Sequence, residues 1–368
     1  MKLAARSGAV ALAAVGVQAL MVFAFTAPAA HTAPHRVPLA LSAPASERAA
    51  IEQRLAQAAP GAFAIHEVAD EAAARAALAD RDDYGAIVAT PTGPHLLVAS
   101  AASPAVAAML TEVGSHLAPT AGAPGVTGVA VTDVVPASPN DPHGGAFTSM
   151  VLPLVMSSLI AGVLITIKLP RLRDRALATL LFALGGGLTV AVLASHTLAF
   201  LPGSYLPVAA AIGTSALAVA GFTTAAASLL GRRGFPLAGI TMMFLANPLS
   251  AAATAPELLP TPWGAIGQDL PAGAAATLIR STAFFNGHGA THAAAVLTLW
   301  IALAAAMLAA ASRRTRRAPA TVTELGTVTG PGTGTEPGTG TGTEPGAGTV
   351  TEPGTEAAAV ARSADFAG

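Results

Sequence analysis

The sequence predicts an α-helical polytopic membrane protein of about six transmembrane helices, with an extracytoplasmic α/β domain inserted after the first. Three observations lead there. Of the 368 residues 53% are hydrophobic and only 11% charged, where a soluble domain carries about 25% charged residues. Long uncharged apolar runs recur along the chain, and about 20 such residues cross a bilayer core of roughly 30 Å. Lysine and arginine collect at alternate ends of these runs, the asymmetry that sets orientation in a membrane.

The first run, residues 8–29, follows Lys2 and Arg6 and makes 1–29 an N-terminal anchor helix. A secretory signal peptide has a shorter apolar core, about 7–15 residues, so the expectation is an uncleaved anchor, although Ala27-Pro28-Ala29 offers small residues for cleavage. The next run, 147–169, ends among Lys168, Arg171, Arg173 and Arg175, which places that loop in the cytoplasm. Residues 176–201 close at Pro202-Gly203-Ser204, a turn without positive charge. Residues 205–230 return to Arg232 and Arg233, 235–255 cross outward, and 291–311 return to Arg313, Arg314, Arg316 and Arg317. Six spans that start inside end inside, and each cationic cluster follows an even-numbered span. The chain is therefore expected in the cell membrane, multi-pass, with both termini cytoplasmic and the lipid bilayer as its first partner.

Between the first two spans, 30–146 reads as the extracytoplasmic α/β domain. Helices are expected at 45–58, 70–79 and 104–117, with Asp70 and Glu71 suited to an acidic first turn. Strands are expected at 62–68, 85–90, 95–100 and 126–135, the middle pair joined by the turn formers of Thr90-Pro91-Thr92-Gly93-Pro94. About 100 residues suffice for one core. Residues 147–312 form the five-helix transmembrane domain. Within it, 256–289 is apolar but broken by Pro256, Pro260, Pro262, Gly264, Gly267, Pro271 and Gly273, which predicts a re-entrant or interfacial element on the outer side, with Trp263 at the interface. The remainder, 313–368, repeats units such as Thr335-Glu336-Pro337-Gly338 and Thr343-Glu344-Pro345-Gly346 and is expected to be a disordered cytoplasmic tail. The Ala, Gly and Pro usage matches a high-GC bacterial background.

Several chemistries are disfavoured. Without cysteine there are no disulfides, thiolate nucleophiles or Cys-based zinc sites. No basic patch with interleaved aromatics speaks for nucleic acid, and no GxxxxGK[ST] loop for nucleotide hydrolysis. Gly185-Gly186-Gly187 lies inside a span and reads as a flexible or close-packed helix face. His288 and His292 are four apart, yet no HExxH glutamate accompanies them, so polar surface at a helix start outweighs a metal site. The reading is no enzyme, no metal and no cofactor. Ionisable groups are nearly absent from the spans, which disfavours ion coupling. Asn247-Pro248 interrupts the fifth span as a kink or hinge. Arg280 is expected to anchor its segment to headgroups or to an acidic partner, Glu257 or Asp269.

Val134-Val135-Pro136 through Asp141-Pro142-His143-Gly144, and Pro256-Glu257-Leu258-Leu259-Pro260 through Trp263, Leu270-Pro271-Ala272-Gly273-Ala274 and Arg280-Ser281, together with one helix, an external domain and five more helices, resemble the ABC-2-type permeases, especially the YhgE/Pip-like branch. The resemblance implies the transmembrane subunit of an exporter, forming a homodimer or a heterodimer with a similar permease and driven by a separate ABC ATPase; the absence of charge in the spans favours a hydrophobic or amphipathic substrate. The ATPase would be met at Arg171, Arg173, Asp174 and Arg175. Asn247, Pro248, Pro260, Trp263, Pro271, Gly273 and Arg280 would form the hinge and outer gate. The alternative is a non-transporting scaffold or surface receptor, phage-receptor-like or a secretion accessory.

Overall fold

A computed structural model describes residues 2–91, 93–117 and 129–317. Residues 318–368, with almost all of the expected tail, and the start of the strand expected at 126–135 lie outside these described residues. The chain is mostly helical with one small sheet.

After α1 (Lys2–Ala30) the chain builds β1 (Val37–Ser42), α2 (Ala45–Ala58), β2 (Phe63–Glu67), α3 (Glu71–Ala79), β3 (Gly85–Thr90), β4 (Gly93–Val98), α4 (Pro104–Leu117) and β5 (Ala130–Asp133). The sheet order is β2-β1-β3-β4-β5. β1 pairs in parallel with both β2 and β3, and β4 runs antiparallel to β3 and parallel to β5. Crossover helices cover both faces: α2 and α4 bury Val37, Leu39, Ile87 and Leu96, while α3 buries Ala40, Ala86 and Leu97. Asp70 starts α3 by accepting the Ala73 N–H at 2.8 Å, the cap that an aspartate supplies to an otherwise unsatisfied donor.

The interior strand β1 is absent from the sequence expectations. Its second residue, Pro38, argues against an interior strand because proline has no N–H to donate. The register removes the conflict. Pairing with β3 begins one residue later, at Leu39 opposite Gly85, and Pro38 uses only its carbonyl, accepting from Tyr84 N–H at 3.3 Å.

The helical part comprises α5 (Gly145–Lys168), α6 (Leu172–Val192) continued by a π-helical stretch Leu193–Thr197, α7 (Tyr205–Leu230), α8 (Gly234–Gly239) continued by π-helical Ile240–Ala246, α9 (Trp263–Gln268), α10 (Pro271–Phe284) and α11 (Thr291–Arg317). Five helical stretches are long and apolar enough to cross a membrane: Ser7–Pro28, Gly145–Lys168, Leu172–Thr197, Tyr205–Ala246 and Thr291–Arg314. The sheet packs at one end of the bundle, the sheet end. Arg232 and Arg313 mark the opposite, arginine end.

Tyr205–Ala246 is not straight. Gly231 takes φ 61°, the chain reverses, and Gly234 packs directly on the Ala226 carbonyl. Ala238 and Met242 then share a buried cluster with Val219 and Phe222 of α7. The fifth expected span, 235–255, is corrected accordingly: its helical arm ends at Ala246. Gly234–Ala246 rises about 20 Å at 1.5 Å per residue, short of a 30 Å core. Asn247-Pro248 therefore terminates a helix and does not merely kink one, because Pro248 withholds the next donor and Ala251 turns to φ 53°.

α7 is the axis of the bundle. In its stretch 72% is buried, against 22–28% for α5, α6 and α11. Alanines and glycines make this close approach possible, as where Gly187 of α6 faces Ala209 and Gly213. α1 stands apart, with none of its span buried, and meets the bundle chiefly at Ile240–Ala246.

Candidate functional site

α10 begins inside the bundle. Ala272 belongs to the cluster of Val219, Met242 and Ala246, and Val219 lies about 21 Å along α7 from Tyr205, near its middle. From there α10 climbs to the sheet end, where the Ala283 carbonyl lies against Gly203. The arm Gly234–Ala246 reaches the same level from the arginine end. Two half-helices thus meet in the middle of the bundle, the C-terminus of one beside the N-terminus of the other.

The link between them, 247–270, rises to the sheet and returns. Ala255 and Leu258 enter the cluster of Val37 and Leu39, and the carbonyls of Leu258 and Glu257 accept from Ala33 N–H at 3.0 Å and His35 N–H at 2.8 Å. The return leg is threaded past backbone. A Cβ on Gly264 would strike the Pro256 carbonyl, on Gly267 that of Leu249, and on Gly273 that of Gly267. Gly273 and Pro271 are thus packing elements at the start of α10, both buried.

Charged groups fasten this element to the sheet. Arg81, between α3 and β3, donates through Nη1 to the Thr277 carbonyl at 3.0 Å and to Ser281 Oγ, and its guanidinium lies 5.5 Å from the Phe285 ring centre. Burial pulls the Arg81 pKa down, partly offset by Tyr84 and Glu257. Tyr84 Oη donates to Glu257 Oε2 at 2.9 Å. Burial first, and then the Glu257 charge, push the Tyr84 pKa up, so the phenol stays a neutral donor. At the base of the sheet Asp83 Oδ2 meets His66 Nε2 at 2.7 Å, and burial raises the Asp83 pKa against the lowering effect of His66.

Arg280 is 6% exposed. Its Nη2 donates to the Ala252 carbonyl at 2.9 Å and its guanidinium lies 4.4 Å from the Phe147 ring centre. The acidic partners expected for it are otherwise engaged: Glu257 accepts from Tyr84, and the Asp269 carboxylate pairs with His292 Nε2 at 3.0 Å. Asp269 lies about three helical turns before Arg280, and Arg280 turns toward α5. His288 and His292 do not form a pair either. His288 precedes α11 and its Nδ1 meets Asp80 Oδ1 at 2.8 Å; among the described residues no three His, Asp or Glu side chains converge as a metal site.

At the arginine end, only 169–171 separates α5 from α6, too short for a coupling helix. Arg171 is exposed at the start of α6, and Arg173 stands beside Asp174 at 3.6 Å. Arg175 faces inward instead, donating to the Leu169 carbonyl and to Ser228 Oγ, both at 2.8 Å. It staples the turn to α7. Of the residues expected at the outer gate, Asn247, Pro248, Pro260 and Trp263 line two adjoining cavities beside α1, whereas Pro271, Gly273 and Arg280 lie buried in α10. Arg81 and Tyr84 carry no signal in the sequence, since a charged turn after a helix ordinarily stays in water.

No family model matches this chain, and no curated protein or solved structure matches it either.

Proposed function

We propose that this chain is the membrane-spanning permease subunit of an ABC-type exporter, moving a hydrophobic or amphipathic substrate outward while a separate subunit hydrolyses ATP. The observation that carries the reading is the pair of half-helices meeting in mid-bundle. Interrupted helices give transporters backbone polar groups and pivot points at membrane depth, tolerated because they are buried in protein or face a cavity. In this reading the arginine end is cytoplasmic, the sheet lies outside, and the half-length arm Gly234–Ala246 with its return link stands in for the fifth of six passes. The link through Glu257 and α10 through Arg81 tie the pivot to the external sheet, so movement of one is felt by the other.

The energy source is argued from the spans. Among the described residues, none of the apolar stretches carries Asp, Glu, Lys or Arg at its centre, and such groups mark ion and proton pathways. Arg171 and Arg173, exposed beside Arg232 and Arg233, supply a cationic face for an ATPase. A homodimer, or a heterodimer with a similar permease, completes the assembly.

The test is to purify the full chain in mild detergent with candidate ABC ATPases. Co-purification, ATP hydrolysis stimulated by lipid-like substrates, and loss of both in the Arg171→Glu, Arg173→Glu double variant are expected. If no ATPase is retained and the double variant works normally in cells, the permease reading falls. One observation favours the scaffold or receptor reading: the sheet is fastened to the bundle by buried hydrogen bonds, as a fixed mount would be.

A further inference from the structure

Two cavities of different character meet beside α1. The larger, about 940 Å3, lies between α1 and the arm Gly234–Ala246; Val17, Leu20, Phe23, Ile240 and Phe244 form its apolar walls and Trp263 its sheet end. The smaller, about 510 Å3, lies one step nearer the sheet, where Thr32, Thr148, Ser149, Asn247 and Ser250 supply hydroxyls and an amide. Pro28 and Pro248 line both, so the two adjoin.

We infer that this pair of cavities holds one membrane lipid, with its acyl chains in the apolar groove and its headgroup among the polar groups of the smaller cavity. Location is the first argument. The groove follows the apolar stretch Ser7–Pro28 of α1, so what fills it comes from a bilayer and not from water. Length is the second. Val17 to His31 spans about 21 Å of helix, the reach of a long acyl chain.

The polar end favours a lipid over a second copy of the protein: an apolar membrane-spanning helix carries no headgroup to meet the hydroxyls and amide of the smaller cavity.

The headgroup chemistry follows from the smaller cavity. The Asn247 side chain makes no hydrogen bond among the described residues and faces this space. On its wall the Ala252 carbonyl is already taken, by Arg280 at 2.9 Å and Thr148 Oγ1 at 3.3 Å. The Arg280 charge therefore stands directly behind the wall, and favours an anionic headgroup that also bears hydroxyls. Phosphatidylglycerol has both. That this lipid is cargo rests on the transport reading; its binding does not.

The full chain, purified in mild detergent and incubated with palmitoyl-oleoyl phosphatidylglycerol, is weighed intact by native mass spectrometry. One retained lipid is expected, with phosphatidylcholine retained several-fold less. Ala24→Trp, which fills the groove, and Asn247→Ala, which touches only the headgroup cavity, are each expected to lower retention about fivefold or more, near 1 kcal/mol. Leu180→Trp, on the exposed face of α6, should leave it unchanged. If Ala24→Trp fails to fold, Asn247→Ala decides alone. Equal retention in Asn247→Ala and Leu180→Trp overturns the inference. So does a lipid-free dimer that Ala24→Trp converts to monomer, which would make a second copy the occupant. No ATPase enters this measurement, so failure to find one bears on the transport reading only.

Discussion

Arg81 shows how one side chain can hold two parts of a molecule together. It leaves the sheet, crosses to α10 and donates to Thr277 and Ser281 while stacked near Phe285. Hydrogen bonds made by a charged donor are worth about 1.5–3 kcal/mol each, so Arg81→Ala is expected to destabilise the joint by about 2–3 kcal/mol. The measurement is thermal unfolding in detergent, with Arg81→Lys recovering only part of the loss because lysine cannot supply the same planar fork. Asp83 makes a second prediction, in which the sign matters. Its folded pKa is raised by burial, so above about pH 4 the unfolded chain releases a proton that the folded chain keeps. Stability therefore falls as pH rises from there through the raised pKa. Unfolding followed against pH should show that decline, and Asp83→Asn should remove it; an unchanged slope in the variant would refute the assignment. Neither residue could be picked from sequence, where Arg81, Asp82 and Asp83 read as a solvated turn. What makes Arg81 matter is its closeness in space to Thr277 and Ser281, about 200 positions away; Asp83 matters because folding buries it beside His66.

Among the elements, Gly185-Gly186-Gly187 separates what periodicity tells from what packing decides. The triplet reads as one flexible or close-packed face, yet a Cβ at Gly185 or Gly186 meets nothing within 4 Å, while at Gly187 it would meet the Ala209 carbonyl at 2.5 Å and Gly213 Cα at 2.8 Å. Gly185→Ala and Gly186→Ala are expected to be neutral or slightly stabilising. Gly187→Val should push α6 off α7 and cost about 1–3 kcal/mol. Detergent-solubilised thermal midpoints of the three variants test this, and equal midpoints would contradict the packing. The long helices were legible because a bilayer core demands uninterrupted apolar length, and α7 was located to the residue by its flanking Pro-Gly-Ser and Arg-Arg. β1 was not, because Pro38 disguises a strand whose register happens to spare the missing donor. That 256–289 is not one straight helix was legible from its prolines and glycines, but the level at which α10 starts was not.

At the scale of the molecule, the expected topology can be tested cleanly because the chain has no cysteine. Ala50→Cys, on the exposed face of α2, should react with a membrane-impermeant maleimide on intact cells. Arg232→Cys, exposed at the arginine end, should react only after permeabilisation. The reverse pattern would invert the orientation proposed here and with it the cytoplasmic ATPase face. The half-length arm and the link that runs up to the sheet bring the pivot, the sheet and the two cavities beside α1 into one continuous structure.

By itself the sequence determined where apolar length and charge asymmetry are overwhelming: that 8–29, 147–169, 176–201, 205–230 and 291–311 mark long apolar helices, which ends carry arginine, and where a Pro- and Gly-rich segment cannot be straight. These are properties of short windows, set by solvent and by backbone chemistry. Only the tertiary structure decided that the fifth helix is a half-helix doubling back at Gly231, that α10 begins at the middle of α7, that Arg280 faces Phe147 and a carbonyl, and that Arg81 bridges sheet and bundle. Each of these depends on which backbone atoms lie within about 3–4 Å of one another after folding, a relation between distant segments that no local window contains.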